Sequence, residues 1–372
     1  MTNRALLTLQ FWGHLLCLLV NRRESNALDP NCSRVIFIEH HQPKSAMRVL
    51  LVIAVLVVAV SAQQCSDSNC QLPNCRCFND RTTPGKLQKN DIPQIVMVSF
   101  EGTVTKTNVE FYKAILQETN PNNCAGRGTF FITDEGSDYS VIKALYDDGH
   151  EVGISSIRGT APNSSTDWIN EFKKVKSQLE SVGVKSGDIN GVRVPQLSIG
   201  SDNQFIGMGS NGLNYDSSCS NAGLSDASTM IWPFTMDYMP TATCDNGAAP
   251  TLPFPGKWEV LISDYHDLSG DKLPCVVPSA CRNITTKRDA FDLFFASFTD
   301  HYTNLRTPFN MLVDPAWASN PDLRDGTIEF LQYVRAAFGN SVWIVPIQKT
   351  IQWIQNPTPI ANLTTFAPWG CK

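Results

Sequence analysis

The sequence predicts an α/β protein, a distorted or incomplete (β/α) barrel of seven to eight parallel strands behind a disulfide-rich N-terminal extension. Short apolar runs rich in β-branched residues alternate with helical patterns over most of the chain, which is the signature of repeated βα units. A long irregular stretch from Ser217 to Lys257 interrupts that alternation, so a regular closed ring is not expected. Ahead of the first apolar run, Cys65, Cys70, Cys75 and Cys77 crowd into a short leader.

Taken in order, strands are expected at Ile95–Phe100, Thr129–Ile132 and Val152–Ser156, separated by helices at Asn108–Gln117 and Tyr139–Tyr146. The helix expected at Thr166–Val182 is strongly amphipathic, with Trp168, Ile169, Phe172, Val175 and Leu179 on one face. Further strands are expected near Gly191–Val194, Leu213–Asp216, Trp258–Ile262, Asn310–Asp314 and Val342–Ile347, with helices at Arg288–Tyr302 and Asp322–Phe338 between the last three. No internal repeat or low-complexity tract appears.

Segment boundaries follow from composition. Residues 1–46 read as an upstream extension and 47–62 as a signal peptide: Arg48 gives the charged start, Leu50–Val60 the apolar run, and Val60-Ser61-Ala62 a small-residue cleavage site. The apolar run is too short to span a bilayer. The interrupted run Leu6–Val20 alternatively reads as a signal anchor. Residues 63–90 form the cysteine-rich leader and 91–372 the main domain.

Cleavage after Ala62 would remove Cys17 and Cys32 and leave an even set: Cys65, Cys70, Cys75, Cys77, Cys124, Cys219, Cys244, Cys275, Cys281 and Cys371. In an exported chain these are expected as disulfides, the leader cluster reading alternatively as a zinc knuckle. Spacing does not fix the pairing, but Cys275 and Cys281 suit a local loop and Cys371 a tie of the C-terminus to the domain. Sequons at Asn163, Asn283 and Asn362 fit the same secreted, extracellular destination. A net charge of -5 gives no basic bias toward nucleic acid, and no membrane contact is expected after signal cleavage.

In a parallel barrel the chemistry lies at the C-terminal strand ends, which singles out Glu101, Ser155, Arg193, Asp216 and Asp314. Around these positions the segments Leu72-Pro73-Asn74-Cys75-Arg76-Cys77, Gly128-Thr129-Phe130-Phe131, Gly149-His150-Glu151-Val152, Gly191-Val192-Arg193-Val194-Pro195, Tyr215-Asp216-Ser217-Ser218, Trp232-Pro233-Phe234-Thr235-Met236-Asp237-Tyr238 and Pro255-Gly256-Lys257-Trp258-Glu259 occur in sequence. Together they resemble the chitin deacetylases of the polysaccharide deacetylase (NodB-homology) family, from about Cys65 to Cys371. The leader resembles that of short gut-expressed insect members, which points to the gut lining matrix.

The resemblance implies a zinc-dependent N-deacetylase scaffold whose machinery is altered in this chain. The family's Thr-Phe-Asp-Asp run, giving base and metal ligand, matches Ser99-Phe100-Glu101-Gly102; its His-Ser-x-x-His ligand pair matches Ser155 and Gly159; its catalytic histidine matches Asp314. Arg193 matches an arginine that orients the base, and Asp216 an aspartate of the site wall. A catalytic zinc needs about three N, O or S ligands. Gly102, Ser155 and Gly159 supply no such set, so no cofactor and no metal-dependent deacetylase activity are expected.

Glu101 is expected in an ion pair with Arg193, with its pKa depressed. Arg158 either enters the emptied metal space or is exposed. His150 reads as structural and His301 as surface; His266 with Asp264 and Asp267 reads as a solvated loop or, alternatively, a chance metal cluster. Trp232, Trp258 and Trp317, with Phe234 and Tyr238, are candidates for stacking on sugar rings, or else core residues. The expected partner is chitin or a related polysaccharide. Two alternatives stay open: a hydrolase using Glu101 and Asp314 as a carboxylate pair, and a protein-interaction scaffold without sugar binding.

Overall fold

A computed structural model describes residues 64–371, except 221–229, 241–243, 245 and 272. The signal-peptide segment, with Cys17 and Cys32, lies outside the described residues.

Nine strands form one sheet: β1 (Gln94–Gly102), β2 (Thr129–Thr133), β3 (Glu151–Ser156), β4 (Gly191–Val192), β5 (Tyr215–Asp216), β6 (Phe234–Thr235), β7 (Trp258–Glu259), β8 (Phe309–Val313) and β9 (Val342–Ile344). All neighbours run parallel except β6, which pairs antiparallel with β7. The order is β8-β1-β2-β3-β4-β5-β7-β6, with β9 alongside the first residues of β1. Beyond β7 the chain reaches back to β8, where the Ser263 amide donates to the Asn310 carbonyl (3.0 Å). The result is an incomplete barrel of eight parallel strands, as the sequence predicts.

The helices are α1 (Asn108–Ile115), α2 (Tyr139–Asp147), α3 (Ser165–Ser181), α4 (Ser201–Ser210), α5 (Lys287–Thr303), α6 (Pro315–Ser319), α7 (Pro321–Phe338) and α8 (Ile347–Gln355). Their starts follow capping chemistry: Ser164 accepts from the Asp167 amide at α3, Thr286 and Asp289 form a reciprocal box at α5, and Asn320 with Pro321 opens α7.

Strand periodicity divides the core in two. Val96, Val98 and Phe100 of β1 point outward into a layer shared with helix residues such as Trp168, Phe172, Phe294 and Phe330. Ile95 and Met97 point inward and pack with Phe131, Tyr215, Trp232, Trp258 and Trp343 in the barrel interior. Ser99 and Glu101 continue that inward row at the C-terminal end of β1.

The expected strand at Val342–Ile347 ends three residues early, because Pro346 caps α8 and Ile347 begins it. All ten cysteines pair, as Cys65–Cys77, Cys70–Cys75, Cys124–Cys371, Cys219–Cys244 and Cys275–Cys281. The leader is therefore cross-linked rather than free to act as a zinc knuckle. Among the described residues no helix is long and apolar enough to cross a membrane.

Candidate functional site

Glu101 stands at the end of β1, and Asp314 follows β8. Phe100 pairs with Val313, so the two carboxylate residues are the next positions on neighbouring parallel strands. Asp314 is occupied structurally: Oδ1 accepts from the Trp317 amide (3.0 Å) as the cap of α6, and Oδ2 accepts from the Ser279 amide (3.1 Å). That geometry leaves little of it for acid or base work.

Arg193, directly after β4, is fully buried. Its Nε donates to the Ser217 carbonyl (2.7 Å), Nη2 to Ser217 Oγ (2.9 Å) and Nη1 to Ser99 Oγ (2.6 Å), while its guanidinium carbon lies 4.6 Å from the Phe131 ring centre. The expected ion pair with Glu101 is therefore corrected: the guanidinium is spent on serine oxygens and a backbone carbonyl, and no Arg193 ion pair forms among the described residues.

Glu101 instead accepts from Ser155 Oγ at a long 3.4 Å. Burial pushes its carboxyl up to about 7, more than the nearby Arg193 charge and the Ser155 hydrogen bond pull it down. The depressed pKa expected from an ion pair is corrected in the same way, because desolvation outweighs the attraction of Arg193.

Asp216, a candidate from the sequence, has an acidic partner that the sequence reading did not single out. Asp216 and Glu259, at the ends of β5 and β7, are both buried and share a side-chain hydrogen bond. Burial raises both, Asp216 to about 6 and Glu259 well above the carboxylate range, so the pair keeps a proton between them. Asp216 Oδ1 also accepts from Gln204 Nε2 of α4 (2.8 Å) and from Ser218 Oγ (2.7 Å). It is thereby fastened between sheet and helix rather than presented as a site wall. The signal for Glu259 was a lone acid inside an apolar strand, next to Trp258.

The positions matching the metal ligands were tested against a divalent ion. Gly102 adopts φ +121, a backbone that side-chain-bearing residues rarely enter, and Gly159 adopts φ +75. Ser155 is fully buried and turned to Glu101. The only group of three potential ligands among the described residues is Cys65, Cys70 and Cys77, all consumed in disulfides. These residues do not fit a catalytic zinc. Arg158 does not fill the space either; it pairs with Glu135 at the surface (2.8 Å), with 71% of its side chain exposed.

The aromatic candidates lie inside. Trp232 and Trp317 are fully buried, and Trp258 is 4% exposed. As stacking faces they are corrected to core: Trp232 and Trp258 fill the barrel interior, and Trp317 packs against Phe294 in the outer layer. Phe234 is also buried, whereas Tyr238 is partly open.

His301 is likewise corrected from surface to interior. It is 7% exposed, with Nδ1 against Thr307 Oγ1 (2.8 Å), and burial lowers its pKa to about 4. His150 is buried as expected, accepting from the Gly128 amide (3.1 Å). Asp267 is engaged by Arg282 (2.7 Å), not by His266 in a metal cluster. Asn163, Asn283 and Asn362 are all exposed.

A curled parallel barrel that gathers ionisable side chains at its C-terminal strand ends belongs to the broad class of βα-barrel proteins, whose functional sites lie at that end. Chitin deacetylase 1 of Bombyx mori is 29% identical over 314 residues, an alignment covering 80% of this chain and 57% of that protein. Chitin deacetylase 8 of Bombyx mori is 28% identical over 297 residues, covering 77% of this chain and 76% of that protein. The chain is thus similar to chitin deacetylases over about four fifths of its length, and it spans little more than half the length of the first of these relatives. No protein-family model matches the chain. Among solved structures, a putative polysaccharide deacetylase from Mycobacterium smegmatis superimposes with TM-score 0.49 at 15% identity, covering 77% of this chain and 95% of that one.

Proposed function

We propose that this protein is a secreted, catalytically silent member of its family that engages chitin or a related N-acetylglucosamine polymer without metal-dependent deacetylation. One observation carries the reading: Gly102, Ser155 and Gly159 stand where three ligands would be needed, and two of them have no side chain to offer. Without a divalent ion, water near neutral pH lacks the activation needed to cut an acetamide. The oxidised cysteines and the exposed sequons support an extracellular destination. Polymer engagement rests on the relatives' names and on retained family segments, and the burial of the three tryptophans moves any sugar contact to other residues.

The test joins metal analysis with acetate release from chitin oligomers on the purified protein. The expected outcome is substoichiometric zinc, no acetate, and retention on chitin above that of an unrelated glycoprotein. Stoichiometric zinc with chelator-sensitive release would overturn the silent reading; absence of retention would overturn the binding half.

A further inference from the structure

At the opposite end of the barrel, just before β8, Arg306 is 6% exposed. Its guanidinium carbon lies 3.4 Å from the centre of the Tyr302 ring, which is itself held by Phe338 (4.3 Å between centres) and hydrogen-bonded through its hydroxyl to Ser341 Oγ (3.3 Å). With one face covered, the N–H edges are the only outlet for its charge. Yet Nε and Nη1 are buried without any acceptor, and no carboxylate among the described residues lies within ion-pair distance.

A second unused atom belongs to a residue hydrogen-bonded to the neighbouring Thr307. Gln94, fully buried at the start of β1, donates through Nε2 to the Thr307 carbonyl (2.9 Å), while its Oε1 accepts nothing. His301, the remaining neighbour on Thr307, has its pKa lowered by burial and adds no positive charge near neutral pH. Lys89 donates to the Thr303 carbonyl close by, adding a second cation and no acid.

A buried guanidinium with unused donors is costly unless an anion meets it. We propose that Arg306 is the receptor of a small oxyanion site, of phosphate or phosphomonoester chemistry, at the N-terminal end of the barrel. Oxyanion oxygens suit the guanidinium donors. The site is separate from the strand-end site and independent of whether that site is silent.

The experiment uses the intact protein, with inorganic phosphate as probe and chloride to match ionic strength. Wild type should show a saturable rise in Tm of about 3 °C or more at a large excess over Kd. It should also broaden the phosphate 31P resonance. Arg306→Met should lose both effects, yet be no less stable than wild type in phosphate-free buffer, since it removes an uncompensated buried charge. A merely structural arginine predicts the reverse: loss of stability in both buffers and no specific phosphate shift. Arg306→Lys provides a second variant that keeps the charge, and it should retain part of the shift. No 31P broadening by wild type, or an undiminished shift in Arg306→Met, overturns the proposal.

Discussion

Gly102→Ala isolates one cause of the missing metal ligand, because the backbone and the space around it make opposite predictions. A Cβ added at Gly102 would meet only Pro315 Cγ, at an ordinary 3.8 Å, so sterics alone would tolerate alanine. The φ of +121 lies outside even the left-handed helical basin, where side-chain-bearing residues carry strain of about 1–3 kcal/mol. For a domain this large, each kcal/mol lost lowers Tm by roughly 2 °C, so Gly102→Ala should melt about 2–6 °C lower. Urea unfolding of wild type and variant at one pH measures it. If the backbone were compatible, alanine would instead stabilise by about 0.4–1 kcal/mol through the unfolded state. An unchanged or raised midpoint therefore refutes the reasoning. The same strain bears on restoration: Gly102→Asp with Ser155→His and Gly159→His must rotate the end of β1 before a carboxylate can reach any ion.

Glu101→Gln should raise stability above pH 7 and change it little below pH 4. The folded carboxyl is carried up to about 7 while the unfolded one titrates near 4.3, so the contribution of its proton is full below the lower value and is lost as pH rises to the upper. Because Glu101 is not wholly enclosed, the difference at pH 8 should be about 1–3 kcal/mol, read from urea midpoints at pH 4 and pH 8. A stabilisation equal at both pH values would refute the desolvation account. Cys124→Ser with Cys371→Ser opens a bridge between residues 247 apart and should cost about 2–5 kcal/mol, visible as a lower Tm that added reductant no longer depresses at this site. A Tm equal to wild type would show that Trp369 and Phe366 hold the C-terminus without the bridge.

The parallel strands were legible because β-branched runs bounded by helical patterns carry a strong periodic signal, and β1, β2, β3 and β8 fall close to the expected places. Three helices, α4, the short α6 and α8, were not. In α4, Gly207 and Gly209 lower helical propensity, yet Gly207 is where α4 meets α3, a Cβ there coming within 2.9 Å of Trp168 Cβ. In α8, an apolar run continuous with β9 hides the turn at Pro346. Of the site, the strand-end positions were readable from the barrel logic, but their partners were not. Whether Arg193 reaches Glu101 or Ser217 depends on depths along separate strands, and Trp232 reads alike as groove wall or interior filler until the sheet curls around it. His301 reads as surface because it closes a polar helix end, whereas Thr307 and Phe309 fold over it.

The charge balance at the strand ends fits the proposal of a pocket that needs no cation from outside. Three acids, Glu101, Asp216 and Glu259, face one buried guanidinium, and burial raises the carboxyl pKa values of all three. Asp216 and Glu259 share a proton, Glu101 is near half-protonated at neutral pH, and Arg193 balances much of the remaining negative charge. Protons thus do the neutralising that a divalent ion would do among ionised carboxylates, and they do so without fixed ligand geometry. Removing the guanidinium would push the acids further toward neutrality rather than expose a metal-binding set, because Gly102, Ser155 and Gly159 would still contribute nothing to a coordination shell. A water held at Glu101 would meet a carboxylate whose raised pKa suits a general base but no Lewis acid, so the proposed silence rests on the missing ligands and not on a weak base.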